Sequence, residues 1–89
     1  MNTQAAGITF YWRPGCGFCA HLQRALEKRG VPLDRHNIWE EPESAAAVRK
    51  IARGNETVPT VVVGPVAMVN PSPKEVIAAM QVHTPELLR

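Results

Sequence analysis

Ile8-Thr9-Phe10-Tyr11-Trp12-Arg13-Pro14-Gly15-Cys16-Gly17-Phe18-Cys19 sets a strand, a turn and two thiols in immediate succession. The first five residues are β-branched or aromatic with an Ile8/Phe10 alternation, and Arg13-Pro14-Gly15 breaks the run. From Cys16 onward Phe18, Leu22, Ala25 and Leu26 recur at helical spacing. Arg24, Lys28 and Arg29 fall in the closing turns, and Gly30 stands where a left-handed cap is needed. The spacing predicts a helix of roughly four turns with both cysteines at its start.

The remaining segments follow the same logic. Val31-Pro32-Leu33 opens a second extended stretch reaching Ile38, with the proline at its beginning, where a strand tolerates it. Glu40, Glu41, Pro42 and Glu43 place negative charge and a proline before a second helix, whose apolar stripe is Ala47, Val48 and Ile51 and which ends near Gly54. Residues 60–63 and 66–69 are valine-rich strands joined through Gly64-Pro65, the pattern of a tight antiparallel hairpin. Ser72-Pro73-Lys74-Glu75 supplies a hydroxyl cap, a proline in the first turn and a glutamate three residues after the cap, ahead of Val76, Ile77 and Met80. Residues 1–6 and 84–89 are expected to be peripheral tails, the latter at most a frayed turn.

The order strand, helix, strand, helix, strand, strand, helix gives a parallel crossover followed by a hairpin. The expected architecture is therefore α/β and thioredoxin-like: one four-stranded mixed sheet, β-α-β-α-β-β-α, flanked by helices, in a single domain over residues 1–89. Eighty-nine residues leave no space for a second domain core. With 45% hydrophobic and 20% charged residues the composition is that of a globular chain. The longest apolar run is residues 76–80, far short of the roughly 20 residues of a membrane span. Ten Lys and Arg against eight Asp and Glu give +2, too little excess to make nucleic acid the expected partner. The first seven residues lack the basic segment and apolar stretch of a secretory signal, so the expected location is cytoplasmic.

Cys16 and Cys19 carry the chemistry. Thiol–disulfide exchange needs a thiolate, and a helix N-terminus offers unpaired N–H groups and the positive end of the helix dipole to stabilise one. Cys16 occupies that position, and Cys19, one turn further in, can attack a mixed disulfide formed on Cys16. Position assigns Cys16 as nucleophile and Cys19 as resolving thiol, with Arg13 adding positive charge near the sulfur. A purely structural bridge would close a loop of only four residues, worth about 2 kcal/mol, and a cytosolic compartment would keep it reduced. Zinc needs two further ligands, and His21, His36 and His83 show no ligand spacing. Gly15 and Gly17 point to a closely approached turn and away from simple core thiols. Exchange is the preferred reading. In Thr57-Val58-Pro59-Thr60 a cis Val58-Pro59 bond would turn the Val58 backbone toward the cysteines, where an incoming chain could pair with it as an added strand.

With Cys16-Gly17-Phe18-Cys19, Thr57-Val58-Pro59 and the Asn70-Pro71-Ser72 turn in this order, the chain resembles the glutaredoxin class of the thioredoxin superfamily over nearly its whole length. Residues 54–61 together with Asn70-Pro71-Ser72 most resemble the mycoredoxins, actinobacterial proteins that reduce mixed disulfides between proteins and mycothiol. The resemblance implies a dithiol oxidoreductase acting on oxidised or S-thiolated client proteins. No tightly bound cofactor or metal is implied; a low-molecular-weight thiol serves as co-substrate, and a monomer is expected. Around the catalytic Cys16 and Cys19 it implies a substrate and co-thiol set of Trp12, Arg13, Gly15, Phe18, Thr57, Val58, Pro59, Asn70 and Ser72.

Departures from the class are informative. Glutathione-using relatives carry a Gly-Gly pair, a small residue and Asp before the last helix, where this chain has Asn70-Pro71-Ser72-Pro73. Two N–H donors are lost to proline and the Asp is absent, which favours mycothiol over glutathione. Ser72 has a plain structural reading as a helix cap. Gly15 stands where mycoredoxins have an aromatic residue, and Tyr11 and Trp12 could supply that wall or simply pack. Two alternatives accompany this reading. One is a hydrogen donor for ribonucleotide reductase fed by thioredoxin reductase. The other is an iron–sulfur cluster carrier, suggested by the Gly17-Phe18 spacer of monothiol relatives, in which Cys19 takes the place of their serine.

Overall fold

The computed structural model describes residues 7–88. Strand β1 (Ile8–Trp12) is followed by helix α1 (Gly17–Lys28), strand β2 (Leu33–Asn37) and helix α2 (Pro42–Ile51). Strands β3 (Thr60–Val63) and β4 (Val66–Val69), helix α3 (Pro73–His83) and a 3-10 turn (Pro85–Leu87) complete the order. The sheet runs β2-β1-β3-β4. β1 pairs in parallel with β2, from Ile8 opposite Leu33 to Trp12 opposite Asn37, and antiparallel with β3, with Phe10 opposite Val61. β3 and β4 form the hairpin expected from the sequence, with Gly64 at φ 55° in the first central position of its two-residue loop. An L side chain rarely adopts that backbone angle, and a Cβ there would also press on His83.

Strand alternation in β1 builds a core on each side of the sheet. Ile8 and Phe10 point to one face and join Leu22 and Leu26 of α1, Val61 and Val63 of β3, and Val76 and Met80 of α3. Tyr11 points to the other face, packing with Val58 against Ile38 and with Ala45 and Val48 of α2. Both edge strands are only partly covered. β2 carries Asp34, Arg35 and His36 in sequence, the polar dress expected of an edge, which is why its alternation is weak in the sequence.

Three expectations are corrected. Phe18 does not belong to the buried row of α1: the core-facing residues are Cys19, Leu22 and Leu26, and Phe18, one position round the helix, is 73% exposed. On α2 the buried row is Ser44, Ala45 and Val48, with Ala47 and Ile51 only half-buried. Ser44 can be buried there because its hydroxyl donates to Glu41 Oε1 at 2.7 Å. Beyond α3, Leu87 and Leu88 fold back through the 3-10 turn onto the main core, so this segment is packed where a peripheral tail was expected. The other expected tail, residues 1–6, lies outside the described residues.

Phe10 is fully buried on the central strand β1, in one cluster with Leu22 and Leu26 of α1 and Val76 and Met80 of α3. Phe10→Ala is expected to lower the unfolding free energy by about 3–5 kcal/mol, read as a fall in the urea midpoint at unchanged slope.

Candidate active site

β1 delivers the chain to Trp12, and Arg13-Pro14-Gly15 reverses it into α1. Gly15 takes φ 78°, a left-handed angle that glycine adopts without penalty and that a bulkier residue resists. Cys16 then occupies the N-cap, with extended backbone angles (φ −90°, ψ 103°), and its Sγ accepts the Cys19 backbone N–H at 3.1 Å. The sulfur thus takes the place of the oxygen with which Ser or Asp usually caps a helix. Cys16 and Cys19 are joined as a disulfide, with Cα atoms 5.2 Å apart. Cys16 is half-buried, whereas Cys19 is 2% exposed and sits in the core-facing row of α1. An incoming sulfur therefore reaches Cys16 first.

The segment before β3 closes over the Cys16 sulfur. The Val58–Pro59 peptide bond is cis, and the Val58 carbonyl oxygen lies 3.9 Å from Cys16 Sγ. Pro59 is buried, and its carbonyl accepts the Asn70 N–H at 2.7 Å, while the buried Thr60 hydroxyl donates to the Thr57 carbonyl at 2.8 Å. These two bonds tie the Thr57-Val58-Pro59 loop to the sheet on both sides. The Val58 N–H makes no hydrogen bond among the described residues, so the strand-like edge beside Cys16 keeps an open donor.

Of the residues singled out in the sequence, Cys16, Cys19 and Val58 are brought together directly, Gly15 and Phe18 flank them in the chain, and Thr57 is exposed at the loop's margin. Three others are otherwise engaged. Trp12 packs against the main core beneath the Arg35 guanidinium, whose carbon is 4.8 Å from the ring centroid. Arg13 donates to the Pro14 carbonyl at 3.1 Å and lies 5.5 Å from the Trp39 centroid, so its charge is engaged by a carbonyl and an aromatic face. Ser72 forms both halves of a capping box with Glu75. Trp39, 63% exposed beside Arg13, is absent from the residues read out of the sequence. The available signal was its place just after β2, since loops following parallel strands gather at one edge of the sheet.

A polar cluster lies on the α2 side. His36 bonds Glu41 at 2.8 Å and Asp34 at 3.2 Å, and Glu41 also accepts the Ser44 hydroxyl. Partial burial opposes protonation of His36, but the hydrogen bonds and charges of Glu41 and Asp34 outweigh it and hold its pKa above the ordinary 6.5. Glu41 is held low, first by the Ser44 hydroxyl and then by His36. Tyr11, whose ring lies 5.8 Å from that of His36, is raised by burial and by the two nearby carboxylates.

The Glutaredoxin family model matches residues 8–67. Among solved structures, the glutaredoxin-like protein NrdH-redoxin from Escherichia coli, described as having a thioredoxin-like activity profile, is 32% identical with a TM-score of 0.69, covering 80% of this chain and 91% of its own. Two others share the fold. A mutant of the thioredoxin-like protein BC3987 is 15% identical with a TM-score of 0.71, covering 82% of this chain and 97% of its own. Glutaredoxin from Brucella melitensis is 21% identical with a TM-score of 0.62, covering 97% and 90%. Among curated proteins, the uncharacterized protein YusI of Bacillus subtilis (strain 168) is 34% identical over 44 residues, 49% of this chain. That match spans only 37% of the relative's length.

The raised pKa of His36 has a stability consequence of definite sign. A group bound more tightly to its proton in the folded state contributes below its unfolded value and loses that contribution as pH rises through the folded one. The gap in urea midpoint between wild type and His36→Gln is therefore expected to be wide at about pH 5.5 and to narrow by about pH 8.5.

Proposed function

The chain belongs to the glutaredoxin family and is a thiol–disulfide oxidoreductase; on that premise we propose that it reduces mixed disulfides between client proteins and a low-molecular-weight thiol, with mycothiol preferred to glutathione. The observation that carries the reading is the asymmetry of the two sulfurs, Cys16 accessible at the mouth of α1 and Cys19 buried behind it.

In the reduced protein Cys16 is the attacking thiolate. The Cys19 N–H and the helix terminus lower the cost of its charge. Attack on a mixed disulfide joins Cys16 to one sulfur and releases the other as a thiolate, which takes up a proton. Cys19 then attacks Cys16 and expels the bound thiol. The Cys16–Cys19 disulfide that forms carries the two electrons' worth of oxidation removed from the substrate. A client segment lying beside Val58 can donate to its carbonyl and accept from its N–H, the pairing of an added strand.

Support for mycothiol over glutathione comes from the turn before α3. Pro71 and Pro73 have no N–H, the Asn70 N–H is given to Pro59 and the Ser72 N–H to Glu75 Oε1 at 2.7 Å. The Ser72 hydroxyl is itself taken by the Glu75 N–H. Residues 70–73 thus hold out no free backbone donor to a γ-glutamyl carboxylate, the group that distinguishes glutathione.

A second reading, hydrogen donation to ribonucleotide reductase with electrons from thioredoxin reductase, draws support from the 32% identity to NrdH-redoxin and its thioredoxin-like profile. A coupled assay offering mycothiol, glutathione or thioredoxin reductase as electron source separates these readings. Turnover is expected with mycothiol, and turnover with thioredoxin reductase alone transfers the function to the second. Cys16→Ser is expected to abolish all activity. Cys19→Ser is expected to keep reduction of a co-thiol mixed disulfide and to lose reduction of a disulfide within a protein.

A further inference from the structure

The outward side of α1 carries a basic stripe that begins at the active site. Gly17, His21, Arg24 and Lys28 follow one another at intervals of four, three and four residues, a single line along the helix, and all are exposed. From Gly17 to Lys28 the line is about 16 Å long. Its first part, Gly17 and His21 with the exposed Phe18, forms a shallow hollow next to Cys16. His21 is shared with a second hollow lined by Arg24, Glu27, Lys28 and Arg29, three cations to one carboxylate, so the surface is continuous from the reactive sulfur to the far end of the helix.

Positive charge is in excess on this face. Arg24, Lys28 and Arg29 form no ion pair among the described residues, and Glu27, the helix's one carboxylate, is hydrogen-bonded by Gln23. Four of the chain's eight carboxylates lie across the sheet, Asp34 on β2 and Glu40, Glu41 and Glu43 around the start of α2, which packs on the opposite face from α1 and carries Arg49 and Lys50 in its own last turn. The site's rim is thereby continuous with an excess of positive charge on α1 and its C-cap, Arg24, Lys28 and Arg29 against Glu27. A solvated surface helix ordinarily carries both signs in comparable number; toward the end of this one cations predominate.

We propose that this face of α1 is the docking surface for the acidic flank of the client protein, Asp- and Glu-rich sequence adjoining the disulfide that Cys16 attacks. The inference rests on the oxidoreductase reading and names the partner of that same site. A client presenting carboxylates about 10–16 Å from its reactive sulfur meets Arg24 and Lys28 while that sulfur is over Cys16. Long-range attraction then raises the encounter rate and orients the approach.

The test uses pre-reduced protein in single turnover, which needs no electron donor. The protein dithiol is oxidised while the peptide disulfide is reduced to its dithiol. Two synthetic peptides carry the same disulfide, one flanked by glutamates and the other by glutamines, and an uncharged small substrate, hydroxyethyl disulfide, serves as reference. At about 0.01 M ionic strength, where charges are felt over roughly 30 Å, the glutamate peptide is expected to react about tenfold faster than the glutamine peptide. At about 1 M the two rates converge. In Arg24→Glu/Lys28→Glu the preference is expected to vanish or invert with the hydroxyethyl disulfide rate unchanged, and Arg24→Gln/Lys28→Gln should fall between.

Equal peptide rates in the wild type, or a preference that survives the charge reversal, overturns the proposal. A single-stranded oligonucleotide that suppresses the peptide reaction at concentrations where a polyglutamate does not would reassign the stripe to nucleic acid and also overturn it. Failure of the wild type on hydroxyethyl disulfide would instead strike at the oxidoreductase reading, so the two failures are told apart.

Discussion

A sulfur atom caps α1. The hydrogen bond from the Cys19 N–H to Cys16 Sγ joins the start of a helix to the reactive centre, and much of the surrounding structure serves to keep the two in register. Helix capping ordinarily ends with a stabilising contact of about 1 kcal/mol. Here the same orphan N–H that would be wasted on solvent is directed at an atom whose charge changes during the reaction. The helix must therefore be held still, and its buried inner row does so, with Leu22 and Leu26 packing against Ile8 and Phe10.

That anchoring explains the unequal burial of the pair. The row that fixes the helix runs through Cys19, so the second sulfur is drawn into the core by the packing that positions the first. Phe18, one position round, is left outside as part of the rim. Access and reactivity are divided by helical geometry, with no separate gate required. The loop bearing Val58 completes the arrangement from the opposite side, tied by Asn70 and Thr60 to the hairpin that follows it.

The two faces of the sheet hold their charged groups differently. Tyr11 and His36 gather Glu41 and Asp34 on the α2 side, where hydrogen bonds retain the carboxylates. On the α1 side the cations have no such partners among the described residues and face outward. The closed Asn70-Pro71-Ser72-Pro73 turn adds a third element, for its donors are consumed within the fold before any ligand arrives.

The element order, the sulfur at the mouth of α1, the Gly64-Pro65 hairpin and the Ser72 cap were legible in the chain itself, because each rests on local chemistry: alternation, helical spacing, turn residues and a hydroxyl three residues before a glutamate. What only the tertiary structure decided lies in contacts between segments far apart in sequence. Arg13 turns to Trp39, Trp12 lies under Arg35, Val58 stands over Cys16, and Leu87 and Leu88 return to the core. Phe18 shows the limit most plainly. Periodicity gives a side chain's angle around a helix, but whether that angle faces the core or solvent depends on where the sheet lies, and no local pattern contains that distance.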